Sequence, residues 1–62
     1  MKPTYYGIAL ETRNPDRYGI IAVYKVKGAP LRQHFTGERY STWNAAEAAM
    51  MRKNQVLFAS HP

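Results

Sequence analysis

The sequence predicts an α+β fold, in which a three-stranded antiparallel sheet (β-β-β-α) is followed by one C-terminal helix packed on one face. Strand-like segments alternate with turns in the first two-thirds of the chain. The apolar period then changes from two to about 3.6 at Ser41. With 62 residues and no cysteine, residues 1–62 are expected to form a single small domain around one core.

The first strand is predicted at residues 4–12, TYYGIALET, where side chains alternate between two faces. A turn follows at residues 13–17, because Pro15 presets a backbone torsion and its neighbours Asn14 and Asp16 bond readily to local backbone groups. One face of the strand carries Tyr6, Ile8 and Leu10, and the other carries Tyr5, Gly7, Ala9 and Glu11.

The second strand, residues 18–27 (YGIIAVYKVK), is apolar on both faces over most of its length. A turn at residues 27–30 leads to a third strand at 31–36, and such short connections favour an antiparallel meander. The predicted core face carries Tyr18, Ile20, Ala22, Tyr24, Val26, Leu31, Gln33 and Phe35. The predicted open face carries Tyr5, Ala9, Ile21, Val23, Lys25, Arg32 and His34.

The helix is predicted at residues 42–57, with Ser41 or Thr42 as its N-cap and several alanines that favour helix. Trp43 and Met50 lie on its apolar stripe and are expected to pack against the sheet, with Trp43 as the central core residue. Residues 59–62 are expected to form a flexible tail. The sheet residues expected beneath the helix are Tyr6, Ile8, Ile20, Ala22 and Phe35.

Composition narrows the classes of function. The formal net charge of +5 and the isoelectric point near 9.9 favour an acidic partner, either nucleic acid or an acidic protein surface. No apolar run reaches membrane-spanning length and no signal-peptide pattern is present, so we expect a soluble cytoplasmic protein with no membrane partner. Two histidines and four scattered carboxylates are too few to suggest a metal site, and no cofactor is expected.

Catalysis is not expected either. His34 stands between Gln33 and Phe35 on a predicted strand, without a nearby aspartate to orient it, and is better explained as a surface histidine. Gly28 and Gly37 are isolated turn glycines and do not form a phosphate-binding loop. The sequence therefore predicts a binding protein and not an enzyme.

Two kinds of partner fit the predicted open face. Lys25, Lys27 and Arg32 converge near one turn, as in a sheet that enters the major groove of duplex DNA. Ile21 and Val23, if exposed, favour a protein partner or self-association into a homodimer, because branched aliphatic side chains cannot stack on bases. The basic residues are also spread over every element, which is typical of an ordinary solvated surface.

The segment Tyr40–Ala49, YSTWNAAEAA, places an aromatic residue and a capping Ser/Thr before a Glu-Ala helix. A short sheet followed by such a helix resembles small phage and prophage proteins of the anti-CRISPR or anti-defence type. It is also similar to the arm-type DNA-binding domain of tyrosine integrases, although no integrase catalytic region follows. The first resemblance implies a small inhibitor of a host complex, and neither resemblance assigns a role to a particular residue.

We therefore expect a non-enzymatic phage-like protein that inhibits or modulates a host protein or nucleoprotein complex, for instance a CRISPR or other defence complex, by occlusion. The alternative prediction is a small basic protein that binds double-stranded DNA through the same face. In both cases the protein would act in the cytoplasm of the host cell. The predicted partner-binding residues are Tyr5, Ile21, Val23, Lys25, Lys27, Arg32 and His34.

Overall fold

The computed structural model describes residues 2–59, which form a three-stranded antiparallel sheet in the order β1-β2-β3 and one C-terminal helix. This arrangement confirms the predicted α+β fold. Of the predicted tail, residues 60–62 lie outside the described residues, and Ala59 is the last residue of the helix. The elements are β1 (Tyr5–Thr12), β2 (Arg17–Tyr24), β3 (Arg32–Tyr40) and α1 (Trp43–Ala59).

The largest differences from the predicted boundaries lie at the C-terminal ends of β2 and β3. β2 ends at Tyr24, because a turn follows in which the Ala29 N–H donates to the Val26 carbonyl at 3.0 Å and Gly28 has φ +81°. β3 continues to Tyr40 through an irregularity at Gly37, where φ is +93°. The glycine predicted to end the third strand instead lies within it.

The start of the helix is fixed by Thr42, one of the two predicted caps. Its Oγ1 accepts a hydrogen bond from the Ala45 N–H at 3.2 Å, and its carbonyl accepts one from the Ala46 N–H at 3.2 Å. Ala46 and Ala49 then press against Ile20, and all three side chains are buried. Because alanine is small, the helix backbone approaches the sheet closely. Partly buried side chains around this core are Tyr6, Ile8, Tyr18, Tyr40 and Met50.

Trp43 is not the central core residue that the sequence predicts. It is the first residue of α1, its side chain is 49% exposed, and its ring contacts Tyr18 edge-on with 5.9 Å between centroids. Ala46, Ala49 and Ile20 fill the centre of the interface between α1 and the sheet, so the large Trp43 ring packs at the edge of this interface. The prediction of Trp43 as core centre is therefore wrong.

The outer edge of β1 is covered by a side chain of the helix. The Asn54 Oδ1 accepts a hydrogen bond from the Tyr6 N–H at 2.7 Å, and its Nδ2 donates to the Tyr6 carbonyl at 3.0 Å. One amide thus supplies the donor and the acceptor that a neighbouring strand would provide. The helix accordingly lies mainly against β1 and β2.

The third strand faces the opposite way from the prediction. Phe35 pairs with Ile21, and His34 pairs with Ala22. Directly paired residues share a face of the sheet, so Phe35 lies opposite the helix, while His34 and Arg32 lie on the helix side. The reason is that the connection after Tyr24 is longer than expected. Counting alternate residues along β2 therefore does not predict which side chains of β3 lie on the same face.

Candidate functional site

The face of the sheet opposite α1 is the candidate binding surface, and we call it the open face. Its membership follows from the two strand registers and from the alternation of side chains along each strand. Lys25 extends it just beyond the end of β2. The open face consists of Tyr5, Gly7, Ala9, Glu11, Arg17, Gly19, Ile21, Val23, Lys25, Gln33, Phe35 and Arg39.

The two branched aliphatic side chains of the open face are buried. Ile21 is 9% exposed and Val23 is 1% exposed. Ile21 extends over Gly7, where a Cβ atom would lie only 3.4 Å from Ile21 Cγ1. The prediction that Ile21 and Val23 form an exposed docking pair is therefore wrong, because the sheet covers them with its own neighbouring residues.

An ion pair crosses the sheet at one end of the open face. Arg39 on β3 donates to Glu11 Oε1 on β1 through Nε at 2.8 Å and through a terminal guanidinium nitrogen at 2.7 Å. The pair can span β2 because Gly19 lies between the two residues; a Cβ there would stand 2.9 Å from Glu11 Oε2. The hydrogen bond from Arg39 lowers the pKa of Glu11, so the carboxylate remains ionised and holds the guanidinium in place.

A second cation is positioned at the other end. The Lys25 Nζ lies 5.6 Å from the centroid of the Tyr5 ring, within range of a cation–π interaction. The backbone N–H of Lys25 also donates to Thr4 Oγ1 at 2.9 Å. This bond ties the backbone of Lys25 to the residue that precedes β1, although Lys25 itself follows the last residue of β2. Its ammonium group remains exposed to solvent.

Between these ends, the open face is shallow. Gly7, Ala9 and Gly19 project little, and the Phe35 ring lies against Gly19, with two ring carbons 3.0 and 3.1 Å from the place of a Cβ there. Phe35 is nevertheless 54% exposed, which makes it the main apolar contact that the open face offers. The cations of this face are Arg17, Lys25 and Arg39, and its carboxylate is Glu11.

The structure does not bring all the predicted binding residues together. Tyr5 and Lys25 are neighbours on the open face, and Lys27 lies in the turn after β2. Arg32 and His34 lie on the other side of the sheet, where they line a hollow of about 500 Å³ with Tyr24. The rings of His34 and Tyr24 are 5.7 Å apart at 77°.

Sequence reasoning missed Arg17, Gln33, Phe35 and Arg39 as members of the open face. A usable signal was the placement of Gly7 and Gly19 on one face of adjacent strands, since glycine within a strand often marks a close approach of neighbouring groups. The position of Arg39 could not be found in this way, because the third strand was predicted to end before it.

Within residues 2–59, no group of three or more histidine, aspartate or glutamate side chains is arranged to hold a metal ion. No helix in this part of the chain has the length and apolar character needed to cross a membrane. In comparisons with known proteins, no family model, no curated protein and no solved structure matches the chain.

Proposed function

We propose that this chain is a non-catalytic protein that binds duplex DNA through its open face. The observation that carries the proposal is the burial of Ile21 and Val23 at 9% and 1% exposure. The main reason to prefer a protein partner was that these side chains would be exposed. Once they are covered, the open face offers mainly cations, hydrogen-bonding groups and the ring of Phe35.

The distribution of charge supports an extended polyanion as the partner. Arg17 and Lys25 are eight positions apart on one face of the same chain segment, a separation of about 26 Å in extended conformation. Arg39 adds a guanidinium near the Arg17 end. Cations at both ends of a narrow face can bind phosphates that are well separated along a duplex, which positions the protein on the DNA.

The dimensions of the sheet agree with this mode. Three antiparallel strands span about 10 Å between the outer strand axes, comparable with the roughly 12 Å width of the major groove. The small residues Gly7 and Ala9 leave the β1 side of the face low, so base edges can approach it there, whereas the Phe35 ring and the Glu11–Arg39 pair stand over Gly19. Gln33, beside Val23 at the Lys25 end, can donate and accept hydrogen bonds. Arg39 is held by Glu11 through two of its nitrogens, and the terminal nitrogen that does not contact Glu11 can donate to a guanine acceptor.

The test is a titration of a short mixed-sequence duplex, followed by fluorescence anisotropy at several salt concentrations. We expect a dissociation constant of roughly 1–100 µM near physiological salt, the range of sequence-independent binding. Arg17→Gln and Lys25→Gln should each reduce the slope of log affinity against log salt by about one. Arg52→Gln is the matched control, because it removes a cation from the helix on the other side of the sheet and should leave the slope unchanged.

Two results would contradict the proposal. One is the absence of salt-dependent binding to the duplex, and the other is an equal loss of slope in the Arg52→Gln control. The first would return preference to an inhibitor of a host protein complex. That partner would be sought by pull-down from a nuclease-treated bacterial lysate, with Phe35→Ala as the variant expected to lose it, since Phe35 is the exposed apolar residue of the open face.

A further inference from the structure

A second surface lies on the helix side of the sheet and is separate from the open face. Because α1 packs mainly against β1 and β2, the side of the helix that faces β3 borders an uncovered groove of about 620 Å³. Pro3 is part of its lining, and Tyr6 and Tyr40 line it from the sheet. This volume falls within the roughly 300–1,000 Å³ that is usual for small-molecule sites. We call it the helix–sheet groove.

The helix–sheet groove is apolar along its helix wall. Leu57 and Ala49 form a buried base, and Val56 stands beside them. Val56 is 72% exposed, so much of its side chain is accessible to a ligand in the groove. A ligand with an apolar body would cover Val56 and contact the two tyrosine rings at the same time.

The polar groups of the groove favour an anion. Glu38, its carboxylate, forms an ion pair with Lys53 and accepts a hydrogen bond from the Tyr40 hydroxyl at 3.1 Å. The hydrogen bond from Lys53 lowers the pKa of Glu38, so this carboxylate stays charged and engaged. The Arg52 side chain, in contrast, forms no hydrogen bond or ion pair within the described residues 2–59; its positive charge contributes to the lowered pKa of Glu38, and Arg52 lines the groove. Lys2 adds a further positive charge to the lining.

We infer that the helix–sheet groove binds a small amphipathic carboxylate, with its apolar body against Val56 and Leu57 and its carboxylate on Arg52. The guanidinium fork matches the two oxygens of a carboxylate. Because Lys53 is already paired with Glu38, the charge assigned to the ligand is that of Arg52, and one guanidinium balances one carboxylate.

The experiment is a titration of the isotope-labelled protein with octanoate, followed by amide chemical shifts, with octanol as the uncharged comparison. We expect saturable shifts along α1 and around Tyr6 and Tyr40, and binding of octanol at least about tenfold weaker. Arg52→Gln should weaken octanoate binding by about tenfold and remove the preference over octanol. Arg17→Gln, which removes a cation from the open face, should leave octanoate affinity unchanged.

The apolar half of the site has its own control. Val56→Ser should weaken octanoate binding several-fold, whereas Met51→Ser should not, since Met51 is similarly exposed at 60% but does not line the groove. Equal affinity for octanoate and octanol, shifts confined to the open face, or equal effects of the two serine variants would overturn the inference. The result does not depend on the DNA titration, because the two ligands are assigned to opposite sides of the sheet.

Discussion

Removal of the Asn54 side chain tests how this small sheet protects its edge. Asn54 is half-buried, and its amide makes two hydrogen bonds to the backbone of Tyr6, at 2.7 and 3.0 Å. Its Nδ2 also lies 3.0 Å from the Met50 sulfur. Asn54→Ala removes these contacts and leaves the Tyr6 N–H and carbonyl without their partner at the edge of β1.

The expected cost follows from the two backbone hydrogen bonds. Each contributes about 0.5–1.5 kcal/mol net, so their loss should lower the free energy of unfolding by about 1–3 kcal/mol. Alanine favours helix more than asparagine, which offsets a few tenths of this loss. In a domain of this size about 2 kcal/mol corresponds to a decrease of roughly 8–16 °C in Tm.

The assay is urea unfolding monitored by circular dichroism, with Gln55→Ala as the matched control. Gln55 carries the same amide one position further along the helix, but it is exposed and lies on the outer surface of α1. The control gains a similar helix propensity without losing a tertiary contact. Amide exchange at Tyr6 gives an independent measurement, and it should become faster in Asn54→Ala alone.

The explanation would be refuted if the two alanine variants unfolded within about 0.5 kcal/mol of each other. It would also be refuted if exchange at Tyr6 were equally fast in both variants. Either result would mean that water satisfies the edge of β1 as well as Asn54 does. The position of the helix over the sheet would then depend on the contact between Ile20 and the alanines alone.

Three further predictions concern the sheet and the helix. Gly19→Ala should displace the Glu11 carboxylate, whose Oε2 would lie 2.9 Å from the new Cβ, and weaken its pairing with Arg39 at a cost of up to about 1 kcal/mol in the same urea assay, because both side chains can shift. Gly7→Ala, with its nearest contact at 3.4 Å, should be tolerated. Because the pKa of Glu38 is lowered in the folded protein, its ionised form stabilises the fold above pH 4.5, and this stabilisation is lost as the pH falls through the folded-state pKa. Glu38→Gln and Lys53→Met should therefore each make the free energy of unfolding fall less steeply at acidic pH. Trp43→Ala should cost about 1–2 kcal/mol, because the ring is 49% exposed, and a cost above about 3 kcal/mol would indicate a fully buried ring.

The parts of the fold that could be predicted are those set by local pattern. The change of period near Ser41 located the helix. Thr42 is the cap because its hydroxyl accepts a hydrogen bond from the N–H of Ala45, three residues later. The first strand, its turn and the antiparallel order also follow from short-range signals. All of these depend on residues within a few positions of each other.

The parts that could not be predicted depend on pairing between strands. Whether Phe35 or His34 shares a face with Ile21 is decided by the geometry of the connection after Tyr24, where the turn at Gly28 shortens β2. The effect of Gly37 is similar, since a lone glycine is equally consistent with the end of a strand and with an irregularity inside it. The predicted open face therefore has the correct side of the second strand and the wrong side of the third.

A sheet with one helix has a second face to protect, and this chain protects it without a second layer. Ile21 packs over Gly7 at van der Waals distance, and Gly19 gives room to the ion pair between Glu11 and Arg39. Because the aliphatic side chains of the open face are buried, little apolar surface remains for binding, and the affinity of this face for a partner must come largely from charge. Such binding would be rapid, steered by the net charge of +5, and sensitive to salt. If binding through this face proved insensitive to salt, the sealed face would have to open and expose Ile21, and exchange at the β2 amides would increase in the complex.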